Sequence, residues 1–322
     1  MRIRLAAALS AVAAAALLLS GCAGAANPSA SPSPSASSKC LLDAKPGKAS
    51  DAVKVAGSGK DLTVTVPAGT DVDAEKNPER TVVKKGEGKD VVSGDLVSVQ
   101  YRIINAADNS VLDSSSRGVD DQLPILLDPK QQSLFVVALE CLPVGSAVSL
   151  ALPSKLLGEG AKPLVVYAQS TKKLPTVATG KAVAPVAGMP TVKLAKNGEP
   201  TITVPKADPP TATTVSVLKQ GDGPTVASGD FVVVQYTGVT WADGKVFDSS
   251  WKRGAPTQFQ TTGVVPGFQK ALEGQKVGSQ VLAAIPPADG YKDQAQGSIP
   301  ANSTLVFVVD ILGTVPAAPA AQ

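Results

Sequence analysis

Tyr236, Phe247, Asp248, Phe259, Phe268 and Phe307 are the residues whose types and spacing could do chemistry together. With Phe231 beside them and Tyr291 in a loop, they concentrate aromatic rings within one stretch, Asp230 to Gly313. Aromatics are only 4% of the 322 residues, so this concentration predicts a pocket. Several catalytic routes are closed to it. The chain has no histidine, which excludes Ser-His-Asp and Cys-His catalysis and removes the commonest zinc ligand. Its three cysteines, Cys22, Cys40 and Cys141, are far apart and form no CxxC site. We expect neither a metal nor a cofactor. One carboxylate and a wall of rings remain.

Simple elements must position these groups. Val232, Val234 and Tyr236 alternate onto one face of a strand. Ala242-Asp243-Gly244 is a hairpin turn with a glycine that tolerates positive φ. Val246-Phe247-Asp248 then returns, placing an aromatic beside the carboxylate. Pro266 and Gly267 open a short helix over 266–273. Phe268, Ala271 and Leu272 share one face of it, and Gly274 is the stop. Leu305, Phe307, Val309 and Ile311 share one face of a last strand.

Seven pieces in order resemble the FKBP-type peptidyl-prolyl cis-trans isomerases: GDGPTVASGD, VQYTG, DGKVFDSS, VVPGF, KVG, IPPADGY and IPANSTLVFVVDIL. The resemblance implies an α+β fold, an antiparallel sheet of about five strands curved over one short helix. It also implies isomerisation of X-Pro bonds, whose barrier is roughly 18–20 kcal/mol. The twisted transition state has lost amide resonance, and with it charge separation. A dry apolar pocket favours that state over the planar one, without acid, base or metal.

By resemblance, Tyr236, Phe247, Val264, Val265, Phe268, Tyr291 and Phe307 line the pocket. Phe268 is the floor under the proline ring. Val265 N–H anchors the carbonyl that follows the proline, and the Tyr291 hydroxyl holds a substrate carbonyl. Asp248 sits beside the twisting amide and hydrogen-bonds within the wall, with Tyr236 as one partner to consider. Ile299 closes the far side, and Thr257 and Phe259 complete the substrate contacts. Thr257 stands where the family often has an aromatic, which opens one wall. Lys292 stands where glycine is common, which bears on the flap. Each residue has a plainer reading: Phe268 and Phe307 as core filler, Tyr236 as a strand aromatic, Asp248 as a turn or cap residue.

The chain also repeats itself. TVVKKGEGKDVVSGDLVSVQY, ending at Tyr101, lies over SVLKQGDGPTVASGDFVVVQY, ending at Tyr236. A duplicated unit fits better than a solenoid, whose period would be roughly 20–50 residues. Each copy is preceded by a hairpin with a glycine turn, at 53–67 and 192–205. We expect a degenerate FKBP-like domain over 40–173, a linker over 174–191 and the isomerase domain over 192–316. In the first copy Leu112 replaces Phe247, Val166 replaces Phe307, and Phe135 falls where Phe268 does. Its flap is missing, so Tyr101 and Asp113 read as scaffold. A short helix is expected over 133–140.

Residues 1–21 read as a signal peptide, with Arg2 and Arg4 before an apolar run too short to span a membrane. Leu19-Ser20-Gly21-Cys22 resembles a bacterial lipobox, which implies lipid on Cys22; plain secretion is the alternative. Residues 22–39 are a Ser/Pro-rich tether. Export would put Cys40 and Cys141 in an oxidising space as an even pair, and we expect a disulfide between them. Without Arg2 and Arg4, 28 basic residues face 27 acidic ones, so nucleic acid is not an expected partner. The expected partners are proline-containing exported polypeptides and, through the lipid, the extracytoplasmic face of the cell membrane; a monomer is expected. Two other readings compete: a non-catalytic peptide-binding chaperone, and a structural envelope lipoprotein.

Overall fold

The computed structural model describes residues 44–128, 133–184 and 186–317. The expected signal peptide, the tether, Cys22 and Cys40 lie outside the described residues. Antiparallel sheets with a few short helices make up the structure.

Two sheets carry the chain. One runs Val246–Ser249, Phe231–Thr240, Leu305–Val315, Gln280–Ile285, Thr214–Gln220 and Lys181–Ala182, with Thr257–Gln260 also on Phe231–Thr240. The other runs Val111–Ser114, Leu96–Asn105, Leu164–Lys173, Ala147–Leu152 and Glu79–Lys84, with Leu123–Leu126 also on Leu96–Asn105. The first five strands of each follow one order. The expected five strands become seven and six. A strand after the Asp-Ser-Ser turn pairs separately in both, and one sheet takes an extra edge strand from the connector.

Each sheet packs over the helix expected from the sequence. The helices are Pro266–Leu272 and Leu134–Leu139. Gly274 follows the first at φ 79, where a side chain would be strained. Cys141 takes the matching place after the second at φ 62 and is disulfide-bonded. The chain's other cysteines lie outside the described residues.

The strand periodicity needed a correction. Val232, Val234 and Tyr236 do face the helix, in one core with Phe268, Phe307 and Val309. The opposite face of Phe231–Thr240 is buried too. The hairpin Thr191–Leu194/Pro200–Thr203 covers part of the sheet's outer side, where Val192 and Ile202 pack with Val239, Trp241, Val306 and Val308. The hairpin Lys54–Ala56/Thr63–Thr65 does the same for the other sheet, over Ile104, Val165 and Tyr167. Covering a second apolar face removes more surface from water, at roughly 25 cal/mol per Å².

The first part of the stretch expected to be a linker is tied to both sheets by hydrogen bonds. Leu174 N–H donates to Leu96 O at 2.7 Å. Ala178 N–H donates to Asp310 Oδ2 at 2.8 Å, and Lys219 Nζ donates to Ala178 O at 3.0 Å. Lys181–Ala182 then pairs with Lys219 and Gln220. Asp310 is 2% exposed, and burial raises its pKa against the opposing pull of these donors. A register shift opposite Val233/Val234 frees Leu312 to join Leu96, Leu126 and Val233 between the sheets.

Candidate functional site

Four strands and one helix bring the rings together. Pro266 starts its helix without needing an N–H partner. Gly267 lets that helix lie against the sheet, since a Cβ there would fall 2.3 Å from Ile285 Cγ2. Phe268, the next residue, is carried into the concave face. Its ring meets Phe307 at 4.8 Å, Phe259 at 5.9 Å and Tyr236 at 6.1 Å, the rings steeply inclined to one another. Phe247 reaches Phe307 at 5.4 Å and 82°. Gly238 makes that meeting possible, because a Cβ there would lie 2.8 Å from Phe307 Cε1 and clash with Phe247.

The site has a base and a rim. Tyr236, Phe268, Ile299 and Phe307 are buried at the base. Phe247, Phe259, Val264, Val265 and Tyr291 are half-buried and pack against that base. Thr257 lies opposite Val234 on the strand that carries Phe259, half-buried and outside the ring cluster. Phe231 does not belong: it is 40% exposed at the start of its strand.

Tyr236 Oη donates to Asp248 Oδ2, and Arg253 Nη1 pairs with Asp248 Oδ1. Arg253 Nη2 donates to Tyr236 Oη at 3.0 Å, and the guanidinium carbon lies 5.4 Å from the centre of that ring. Burial, then the hydrogen bond to Asp248, pushes the Tyr236 phenol up to about 12 despite Arg253. It is therefore a neutral donor at any physiological pH. Asp248 Oδ1 also accepts from Ser249 N–H at 2.8 Å, so the plainer turn role and the wall role coexist. Arg253 was missed from the sequence, although it stands five residues after Asp248, just past one turn of short helix.

Two polar groups at the rim are open. Among the described residues, neither the Val265 N–H nor the Tyr291 hydroxyl has a hydrogen-bond partner. Both would cost free energy if a ligand covered them unpaired. Lys292 adopts φ 55 itself, so the flap keeps a glycine-like backbone there under some strain.

The first sheet holds less. Tyr101 Oη donates to Asp113 Oδ2 at 2.8 Å, and Phe135 meets the Tyr101 ring at 4.8 Å. Leu112 points outward at 56% exposure, and Val166 is a small buried replacement.

The structure is thus an antiparallel sheet packed over a short helix, with an aromatic cluster beside a carboxylate. The profile for the FKBP-type peptidyl-prolyl cis-trans isomerases matches residues 223–312. The FK506-binding protein of Streptomyces anulatus is 37% identical over 109 residues, 33% of this chain and 88% of that protein. The isomerase FkpA of Escherichia coli K12 is 41% identical over 107 residues, 33% of this chain but only 39% of FkpA. A crystal structure of FkpA aligns with a TM-score of 0.32 at 35% identity, covering 42% of this chain and 55% of that one. The chain belongs to the FKBP-type peptidyl-prolyl cis-trans isomerase family.

Proposed function

We propose that this chain catalyses cis-trans isomerisation of X-Pro bonds in the body formed by residues 192–316. The observation that supports it best is the buried ring base of Tyr236, Phe268 and Phe307 beneath two polar rim groups, Val265 N–H and Tyr291 Oη, without hydrogen-bond partners among the described residues. A prolyl ring would sit over Phe268. Val265 N–H and Tyr291 Oη would each take a substrate carbonyl. Asp248, fixed by Tyr236 and Arg253, would face the twisting amide. Each of these contacts is available without proton transfer, and the apolar surroundings favour the less polar, twisted amide.

The body over 40–173 is proposed as a degenerate FKBP-like copy, supported by the shared strand order and the retained Tyr101–Asp113 pair. A lipid-anchored, extracytoplasmic protein acting on exported polypeptides is the setting we propose, on the strength of the leader and lipobox in the sequence. The pairing of Cys141 with Cys40 belongs to the same proposal. In the chain-entropy model a loop of that length stabilises by roughly 4–5 kcal/mol.

A protease-coupled assay on a short X-Pro peptide tests the activity with the whole chain. We expect acceleration proportional to protein concentration. A folded chain that leaves the uncatalysed rate unchanged favours the non-catalytic chaperone reading.

A further inference from the structure

The first body is contacted by the end of the chain's last strand. Its polar wall repeats that of the second: Arg117 Nη1 pairs with Asp113 Oδ1, and Nη2 donates to Tyr101 Oη at 3.3 Å. One more donor of Arg117 is engaged. Its Nε donates to the carbonyl of Pro316 at 3.1 Å, across 199 residues of sequence. Val315, just before, is 9% exposed in the cluster that holds Tyr101, Leu123, Leu127 and Val166. It is that cluster's single buried residue from the second body among the described residues. Gly313 lets the strand end approach, since a Cβ there would lie 2.8 Å from Pro124 ring atoms.

The second body supplies the comparison. Arg253 uses Nη1 on Asp248 and Nη2 on Tyr236, as Arg117 does on Asp113 and Tyr101. Its Nε has no partner among the described residues. The two walls thus differ in occupancy: one arginine holds a prolyl carbonyl and the other holds none.

We propose that the first body is a binding site for an aliphatic residue followed by a free backbone carbonyl, filled here in cis by Val315-Pro316. The aliphatic side chain enters the Tyr101–Leu123 cluster, and the prolyl carbonyl accepts from Arg117 Nε. A ligand joined covalently to its site competes at an effective concentration of roughly millimolar. Free peptides of ordinary affinity are then excluded until the tail leaves. The site rests on the likeness of the two walls, and its test reads binding, so it stands or falls apart from the isomerase activity.

The probe is the synthetic peptide Leu-Gly-Thr-Val-Pro-Ala-Ala, a copy of residues 312–318, titrated calorimetrically. The chain ending at Thr314 should bind one more peptide per molecule than the full chain. Arg117→Lys in the shortened chain should abolish that extra site. If the shortened chain lacks a cooperative thermal transition, full-length Val315→Gln replaces it, since a polar side chain should expel the tail. A folded variant that binds no more peptide than the full chain overturns the proposal. So does an extra site indifferent to Arg117→Lys.

Discussion

Replacing Phe268 separates a pocket floor from a core filler. The residue is 4% exposed and touches three other rings. Phe→Ala at such a site costs about 3–5 kcal/mol. Edge-to-face pairs add roughly 0.5–1.5 kcal/mol each beyond area, so the upper end is expected here. Set against a typical stability of about 5–15 kcal/mol, Ala risks unfolding the body. Phe268→Leu is the sharper tool: it keeps aliphatic bulk under the sheet but removes the flat ring face. Thermal unfolding and protease-coupled isomerisation should be measured on the same full-length protein, below its transition. We expect a cooperative transition with kcat/KM reduced at least tenfold, about 1.4 kcal/mol of transition-state stabilisation. A folded Phe268→Leu chain with undiminished kcat/KM would show that the ring only fills the core.

Three more outcomes follow from the geometry. Tyr236 is held neutral in the folded state while an unfolded tyrosine ionises near 10.0. The stabilisation is thus complete below pH 10 and lost as pH rises through about 12. Melting curves of Tyr236→Phe should therefore fall less steeply than wild type over that window. Gly238→Ala should lower the melting temperature, as overpacking typically costs about 1–3 kcal/mol, and should lower kcat/KM by displacing Phe247. Tyr291→Phe should reduce kcat/KM by less than Phe268→Leu, because it removes one rim hydrogen bond and leaves the base intact.

Much of the site was legible in the sequence because it is built from local rules. Proline at a helix start, glycine at its stop and alternation along two strands carry Tyr236, Phe268 and Phe307 to one face. Their types then say what that face can do. Phe231 shows where counting rings misleads: alternation sets it with Val233, on the opposite side from Val232 and Val234, at a strand end that leaves it in water. Arg253 was missed because a basic residue on a surface turn is usually solvated, and only the fold sets it over Tyr236. The packed connector was hidden for a related reason. Nothing in Pro-rich residues 174–191 announces that Asp310, 132 residues after Ala178, will take its N–H. Long-range polar pairs of this kind leave no period in a sequence.

If the chemistry belongs to the second body, as we propose, disabling that body's site alone should abolish it. The full-length chain and its Asp248→Ala/Phe268→Leu double variant are compared in the X-Pro assay, with folding checked by thermal transition. We expect clear catalysis by the wild-type chain and a relaxation time near the uncatalysed one, tens to hundreds of seconds, for the folded double variant. A folded double variant that keeps the wild-type rate would contradict it and move the chemistry to another part of the chain.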